Sequence, residues 1–183
     1  MSADPINVRR MVMVRHSPER VAEALRDELP AVAAHLRGVE EIRLLERSDE
    51  GGGVIRTVHQ WRAASTLSAM LRDHLDGNAL TWIERSRWQA EPLQSSWTVE
   101  SELLKGGLAG SGTTQVESAI GGRGTRLHLG ISTSIAPGAL GPLGIGRWKI
   151  GLEDAAATLL ARILQELGSA VDSYLGKGPG RKR

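Results

Sequence analysis

Cysteine is absent from the 183 residues, which excludes disulfides and thiolate metal sites. Phenylalanine is absent too, and tyrosine occurs once. The aromatic bulk of any core must therefore come from five tryptophans, Trp61, Trp82, Trp88, Trp97 and Trp148. Each indole carries an N–H that wants a partner, so these residues suit pocket walls and sheet margins. No apolar run reaches the ~18 residues of a membrane span, and the opening MSADPINVRR has no apolar signal-peptide core. These absences predict a cytoplasmic chain without stable membrane insertion. The histidines, His16, His35, His59, His74 and His128, show no HxH, HxxxH or HExxH spacing, so no metal site and no cofactor is expected. No GxSxG elbow marks a nucleophile, and Gly51–Gly53 lacks the GxxxxGK[ST] pattern of a phosphate-binding loop.

Charge is nearly balanced, with a formal net of +2. Lys177, Arg181, Lys182 and Arg183 contribute four positive charges, so residues 1–175 carry a net −2 and the sequence pI near 9.4 owes much to a short tail. No basic stripe leads into that tail, which reads as a flexible solvating extension; no nucleic-acid partner is expected. The length fits one domain over residues 1–175, large enough for a real core, followed by the basic tail 176–183.

What is present is organised around Leu152–Leu175. Leu152, Ala156, Leu159, Leu160, Ile163, Leu164 and Leu167 recur in steps of three and four, as in an amphipathic helix. Glu153 and Asp154 suit its positive N-terminal end and Gly176 its stop. At ~1.5 Å per residue such a helix is about 36 Å long, and its apolar stripe needs a large partner surface.

The rest of the chain reads mainly as that surface. Ile6–Arg15 is a strand, with Met11 and Met13 on one face and Val8, Val12 and Val14 on the other. Ser17-Pro18-Glu19 signals a helix N-terminus with Ser17 as N-cap, and Pro30 divides a helix pair ending at Gly38. The period then changes to two. Strands are predicted over Ile42–Arg47, Val54–Arg62, Ala79–Ala90, Trp97–Leu104, Thr113–Ile120 and Thr125–Ile135. Turns fall at Ser48–Gly53, Asp76–Asn78 and Gly121–Gly124, with a loop flanked by Gly106–Gly112 and another over Pro137–Gly146. Ala64–Leu75 suits a short helix or a strand with its turn. A strand, a helix pair, about six successive strands and one long helix make an α+β chain with an antiparallel sheet.

The strand NVRRMVMV followed at once by HSPERVAEAL, the passage LRGVEEIRLLER, the strand entry GGRGTRLHLGIS and the closing helix resemble the START-like, helix-grip superfamily (SRPBCC). That superfamily includes polyketide cyclase/dehydratase-like and Bet v 1-like proteins. The likeness spans roughly residues 6–175 and brings no catalytic motif. It implies a curved antiparallel sheet of six to seven strands gripping the long helix, with a cavity between them for a hydrophobic small molecule, lipid- or polyketide-like. The implied rim is the Gly51–Gly53 hairpin, the Gly106–Gly112 loop and Pro137–Gly146.

Candidate wall residues are Trp61, Trp82, Trp88, Leu127, Leu129 and Ile131 from the strands, with Leu152, Ala156 and Leu159 from the helix. Two residues there could carry chemistry. Glu84 shares a strand face with Trp82 and Trp88, where a carboxyl among indoles would have a raised pKa; alternatively it faces outward and pairs with an arginine. His59 shares a face with Thr57 and Trp61, and is either a base or donor toward a ligand or a solvated or hydrogen-bonded structural histidine. His128, opposite the apolar side of its strand, is expected at the surface. The function expected is binding or transport of a hydrophobic molecule, or a cyclase-like reaction using one of these groups.

Overall fold

The structure, a computed structural model, describes residues 5–64, 81–101, 108–135 and 147–177, without the side chains of residues 108, 135 and 147–160. Strand β1 (Ile6–Val14) is followed by α1 (Pro18–Arg26), α2 (Leu29–Val32) and a 3-10 turn, Ala33–His35. Then come β2 (Val39–Gly51), β3 (Val54–Ala63), β4 (Thr81–Gln89), β5 (Gln94–Ser101), β6 (Leu108–Ala119) and β7 (Gly124–Ile135), and the long helix α3 (Arg147–Gly176). The seven strands form one curved antiparallel sheet in the order β1-β7-β6-β5-β4-β3-β2, so β1 and β2 are its edges. This is the predicted helix-grip architecture. The ambiguous segment Ala64–Leu75, the turn at Asp76–Asn78, the Pro137–Gly146 loop and the tail beyond Lys177 lie almost wholly outside the described residues.

Pro18 takes the first helical position of α1, and the first helical bond runs from Val21 N–H to Ser17 O at 3.0 Å. Ser17 makes no side-chain capping bond, contrary to the sequence reading. Val21, Ala24 and Leu25 turn inward from α1 and Leu29 and Val32 from α2, while Pro30 starts the second helix as expected. Such aliphatic burial stabilises by about 1.5–3 kcal/mol per fully buried side chain.

Two glycine-rich segments differ from the sequence reading. The strands β2 and β3 extend to Gly51 and from Val54, leaving a turn of Gly52-Gly53, with φ of 62° and 76°. Only glycine reaches this left-handed region without strain, which is why the hairpin closes in so few residues. The second correction concerns Gly110 and Gly112, which belong to β6 rather than to a loop. A Cβ on Gly112 would sit 2.3 Å from Trp97 Cζ2, so the missing side chain is what lets the indole of β5 lie across β6. Strand β2 carries three register breaks against β3, at Val39/Glu41, Leu44/Glu46 and Asp49/Gly51.

The long helix crosses β1 at close range. Gly168 faces Val12 so tightly that a Cβ there would be 2.4 Å from Val12 Cγ1. Two carboxylates of α3 hold the chain beneath: Arg15 N–H donates to Asp172 Oδ1 at 2.7 Å and Arg37 N–H to Glu166 Oε2 at 3.1 Å. Ile163, Leu164, Leu167, Ala170 and Val171 are buried against the sheet's inner face. That face presents Val8 and Val14 from β1 and Leu127, Leu129 and Ile131 from β7, while Met11 and Met13 stand exposed on the outside.

Candidate functional site

Between the inner face of the sheet and the helices lies a cavity of about 70 Å³. Its helical wall is Leu25 and Leu29 from α1 and α2, with Ile163, Leu164 and Leu167 from α3. The sheet contributes Leu129 and Ile131 from β7, and Trp61, Trp82, Trp88, Trp97 and Val99 from β3, β4 and β5. Among the described residues the polar groups of the lining come from the sheet: Glu84, Ser86, Ser95 and Thr114. A larger hollow of about 540 Å³ lies on the outer face around Gly130, lined by Arg9, Met11, Gln115 and His128 among others. It is an open, mostly polar trough where glycine has no side chain, whereas the inner cavity is lined mainly by apolar groups.

Strand pairing explains how the inner polar groups come together. Trp61 lies opposite Trp82, and His59 opposite Glu84, on β3 and β4. Ser86 lies opposite Trp97 on β5. Alternation therefore turns Trp82, Glu84, Ser86 and Trp88 to one side of β4, and that side is the inside. The rings of Trp61 and Trp82 stack with centroids 5.7 Å apart and planes 19° from parallel. Trp97 is fixed by its Nε1–H, which donates to Thr114 Oγ1 at 3.1 Å.

Glu84 is thus not an outward carboxylate paired with an arginine. The arginines of its strand point the other way, Arg85 to Glu100 and Arg87 to Glu50. What surface Glu84 retains opens on the cavity. Loss of water raises its pKa above the usual carboxyl value, opposed by the Ser86 hydroxyl, which donates to Oε1, and by Trp61. The Trp61 Nε1–H lies toward the carboxyl and favours its ionised form, but it makes no hydrogen bond of good geometry and has no other partner.

His59 departs further from expectation. It is neither solvated nor hydrogen-bonded: the side chain is fully buried and both ring nitrogens lack partners. Burial pushes its pKa down to about 4, with the charge of Asp27 pulling weakly the other way. It does not line the cavity, so it is not placed to touch a ligand there. His128 is at the surface, 3.2 Å from Glu117.

Of the wall residues read from sequence, Trp61, Trp82, Trp88, Leu129 and Ile131 meet at the cavity. Leu127 is fully buried but lies outside the lining, one residue pair further along β7 in the solid core. Leu152, Ala156 and Leu159 are on α3, where their side chains lie outside the described set. The sequence reading missed Trp97, Val99, Ser95 and Thr114 as wall residues, and the helical turn Ile163–Leu167. Ser86 could have been found, since it shares the alternating face of Glu84. The β5 and β6 residues needed the pairing register, which no local pattern supplies.

Seven antiparallel strands gripping a long C-terminal helix, with a small apolar cavity between, define the helix-grip fold of Bet v 1-like and polyketide cyclase proteins. Three solved structures show it. The Thermus thermophilus protein TTHA0849 matches with a TM-score of 0.64 at 21% identity, over 94% of this chain and 99% of its own. The Zhui aromatase/cyclase from Streptomyces sp. R1128 matches at 0.56 and 18%, over 93% and 92%. Ara h 8.0201 matches at 0.56 and 13%, over 94% and 98%. At these identities the likeness is one of fold. No protein-family model and no curated relative matches the sequence. No helix among the described residues is long and apolar enough to cross a membrane.

Proposed function

We propose that the protein binds an apolar small molecule, or the apolar end of a larger one, in the cavity between the sheet and α3. The observation that carries this reading is the lining: aliphatic side chains from three helices face four indoles across a space that side chains leave unfilled. Removing apolar surface of ligand and wall from water stabilises the complex by ~25 cal/mol per Å². Cavities for drug-sized ligands run to roughly 300–1,000 Å³. The 70 Å³ here takes a ring or a short chain, and a longer ligand enters only by displacing wall side chains. Displacement of a fluorescent apolar dye by small hydrocarbons and alcohols tests the reading; a protein that takes up neither dye nor competitor would sink it.

A second reading is favoured by Glu84. A carboxyl whose pKa is raised by loss of water in an apolar cavity can give and take a proton, as a cyclase-type reaction on a polyketide-like substrate requires. The aromatase/cyclase among the proteins of this fold supports it. On this reading Glu84→Gln abolishes turnover of such a substrate and leaves its uptake intact; unchanged turnover rejects the assignment.

A further inference from the structure

The cavity holds an acidic side chain with no basic side chain beside it among the described lining residues. Glu84 enters it with one hydroxyl, from Ser86, already donated to the carboxylate, and with the unpartnered Trp61 Nε1–H turned toward it. Trp61 is only 4% exposed, so that N–H has no bulk water to satisfy it. The two polar groups turned to the carboxyl are thus both donors, which suit an anion, yet no arginine, lysine or histidine lines the cavity among the described residues. Asp27, a partly buried acid at the end of α1, by contrast has Arg26 and Arg47 beside it. A carboxylate taken out of water without a counter-ion is costly, and a binding partner that brings the counter-charge removes that cost. The surrounding rings point the same way. Trp82 lies two residues before Glu84 on its strand, Trp61 across β3 and Trp97 across β5, and the electron-rich faces of indoles attract organic cations.

We propose that this end of the cavity receives the ammonium group of an apolar amine, with Glu84 as counter-ion and Trp61, Trp82 and Trp97 around it. The inference rests on the ligand-binding reading and narrows it: amines are selected over neutral ligands, and anions such as fatty carboxylates are rejected. A bound ammonium favours the ionised form of Glu84, the form that the Ser86 and Trp61 donors also suit. His59, opposite Glu84 on β3 and buried, is the nearest other titratable group in the pairing register, and it stays neutral.

The test uses three probes of one shape and small enough for this cavity: n-butylammonium, 1-butanol and butyrate, at constant ionic strength. Binding is read from the indole N–H resonances of the isotope-labelled protein. The expected result is that butylammonium saturates the shift of Trp61 at a concentration at least about tenfold below butanol, and that butyrate gives no shift. Its affinity should rise with pH as Glu84 ionises, while that of butanol stays level. In Glu84→Gln, checked for folding by circular dichroism, the preference for the ammonium disappears and butanol binding persists. Equal or tighter binding of butanol, or a preference that survives Glu84→Gln, overturns the proposal and leaves the apolar cavity standing. If none of the three binds but the apolar dye does, the amine is likewise wrong and the binder right; if the dye fails as well, both fall.

Discussion

Taking the protein from pH 7 to pH 4 should cost about 3 kcal/mol of folding stability through His59 alone. The unfolded chain binds a proton on this imidazole near pH 6.5, whereas the folded protein, which buries it without a partner, resists until about pH 4. The folded pKa is depressed, so the unfolded state holds more protons throughout that window and acid draws the equilibrium toward it. Each unit of pKa difference is worth ~1.36 kcal/mol, and about two and a half units give the figure stated. The stability is fully present above pH 6.5, falls steadily below it, and is gone once the pH passes the folded value. Full burial of the ring means that solvent screening does not reduce the effect. Glu84 works in the opposite sense. Its raised pKa favours the folded state at acid pH and that contribution is lost as pH rises through the folded value, so it partly masks His59 in the wild type. Urea unfolding at pH 7, 5.5 and 4.5 of wild type, His59→Leu and the double variant with Glu84→Gln separates the two. His59→Leu should flatten the acid limb, and its stability relative to wild type should improve by about 1.4 kcal/mol per pH unit at most. Parallel acid limbs in wild type and His59→Leu would refute the argument, for they would mean that the imidazole finds a partner or water in solution.

The remaining predictions concern the contact of α3 with β1. Gly168→Ala should lower stability by about 1–3 kcal/mol, less the gain of up to ~1 kcal/mol that alanine brings to a helix, because the new methyl meets Val12 Cβ at 2.7 Å as well as Cγ1. Thermal unfolding reads the loss; an unchanged or raised Tm contradicts the packing. Adding Val12→Ala should recover only part of it, since the Cβ contact stays.

The strands and the long helix were legible because burial on one face imposes a period that survives in the residues themselves. In β7 the alternation of Leu127, Leu129, Ile131 and Thr133 with Arg126, His128 and Gly130 leaves one arrangement. In β4 the same rule grouped Glu84 with Trp82 and Trp88, but neither side is purely apolar, so which side faced in depended on β3 and β5. Glycine misled for a related reason. At Gly52 and Gly53 it marks a turn, whereas at Gly110 and Gly112 it leaves room for side chains from neighbouring strands. Such room is a property of the assembled sheet, and local sequence carries no trace of its cause. The lack of any partner for His59 was hidden likewise: an imidazole between Thr57 and Trp61 reads the same whether or not a donor waits across the fold.

The broken register of β2 bears on how copies of this chain behave when crowded. Among the described residues its outer rim has no neighbouring strand, and such rims invite a second molecule to zip on and begin an aggregate. Here each of the three offsets twists the ribbon and puts successive N–H and C=O groups out of step. The side chains along it, Glu40, Arg43, Glu46, Arg47 and Glu50, add charges of both signs exposed to solvent. An incoming strand would find no continuous ladder to extend, so the long rim guards the chain against its own duplicates.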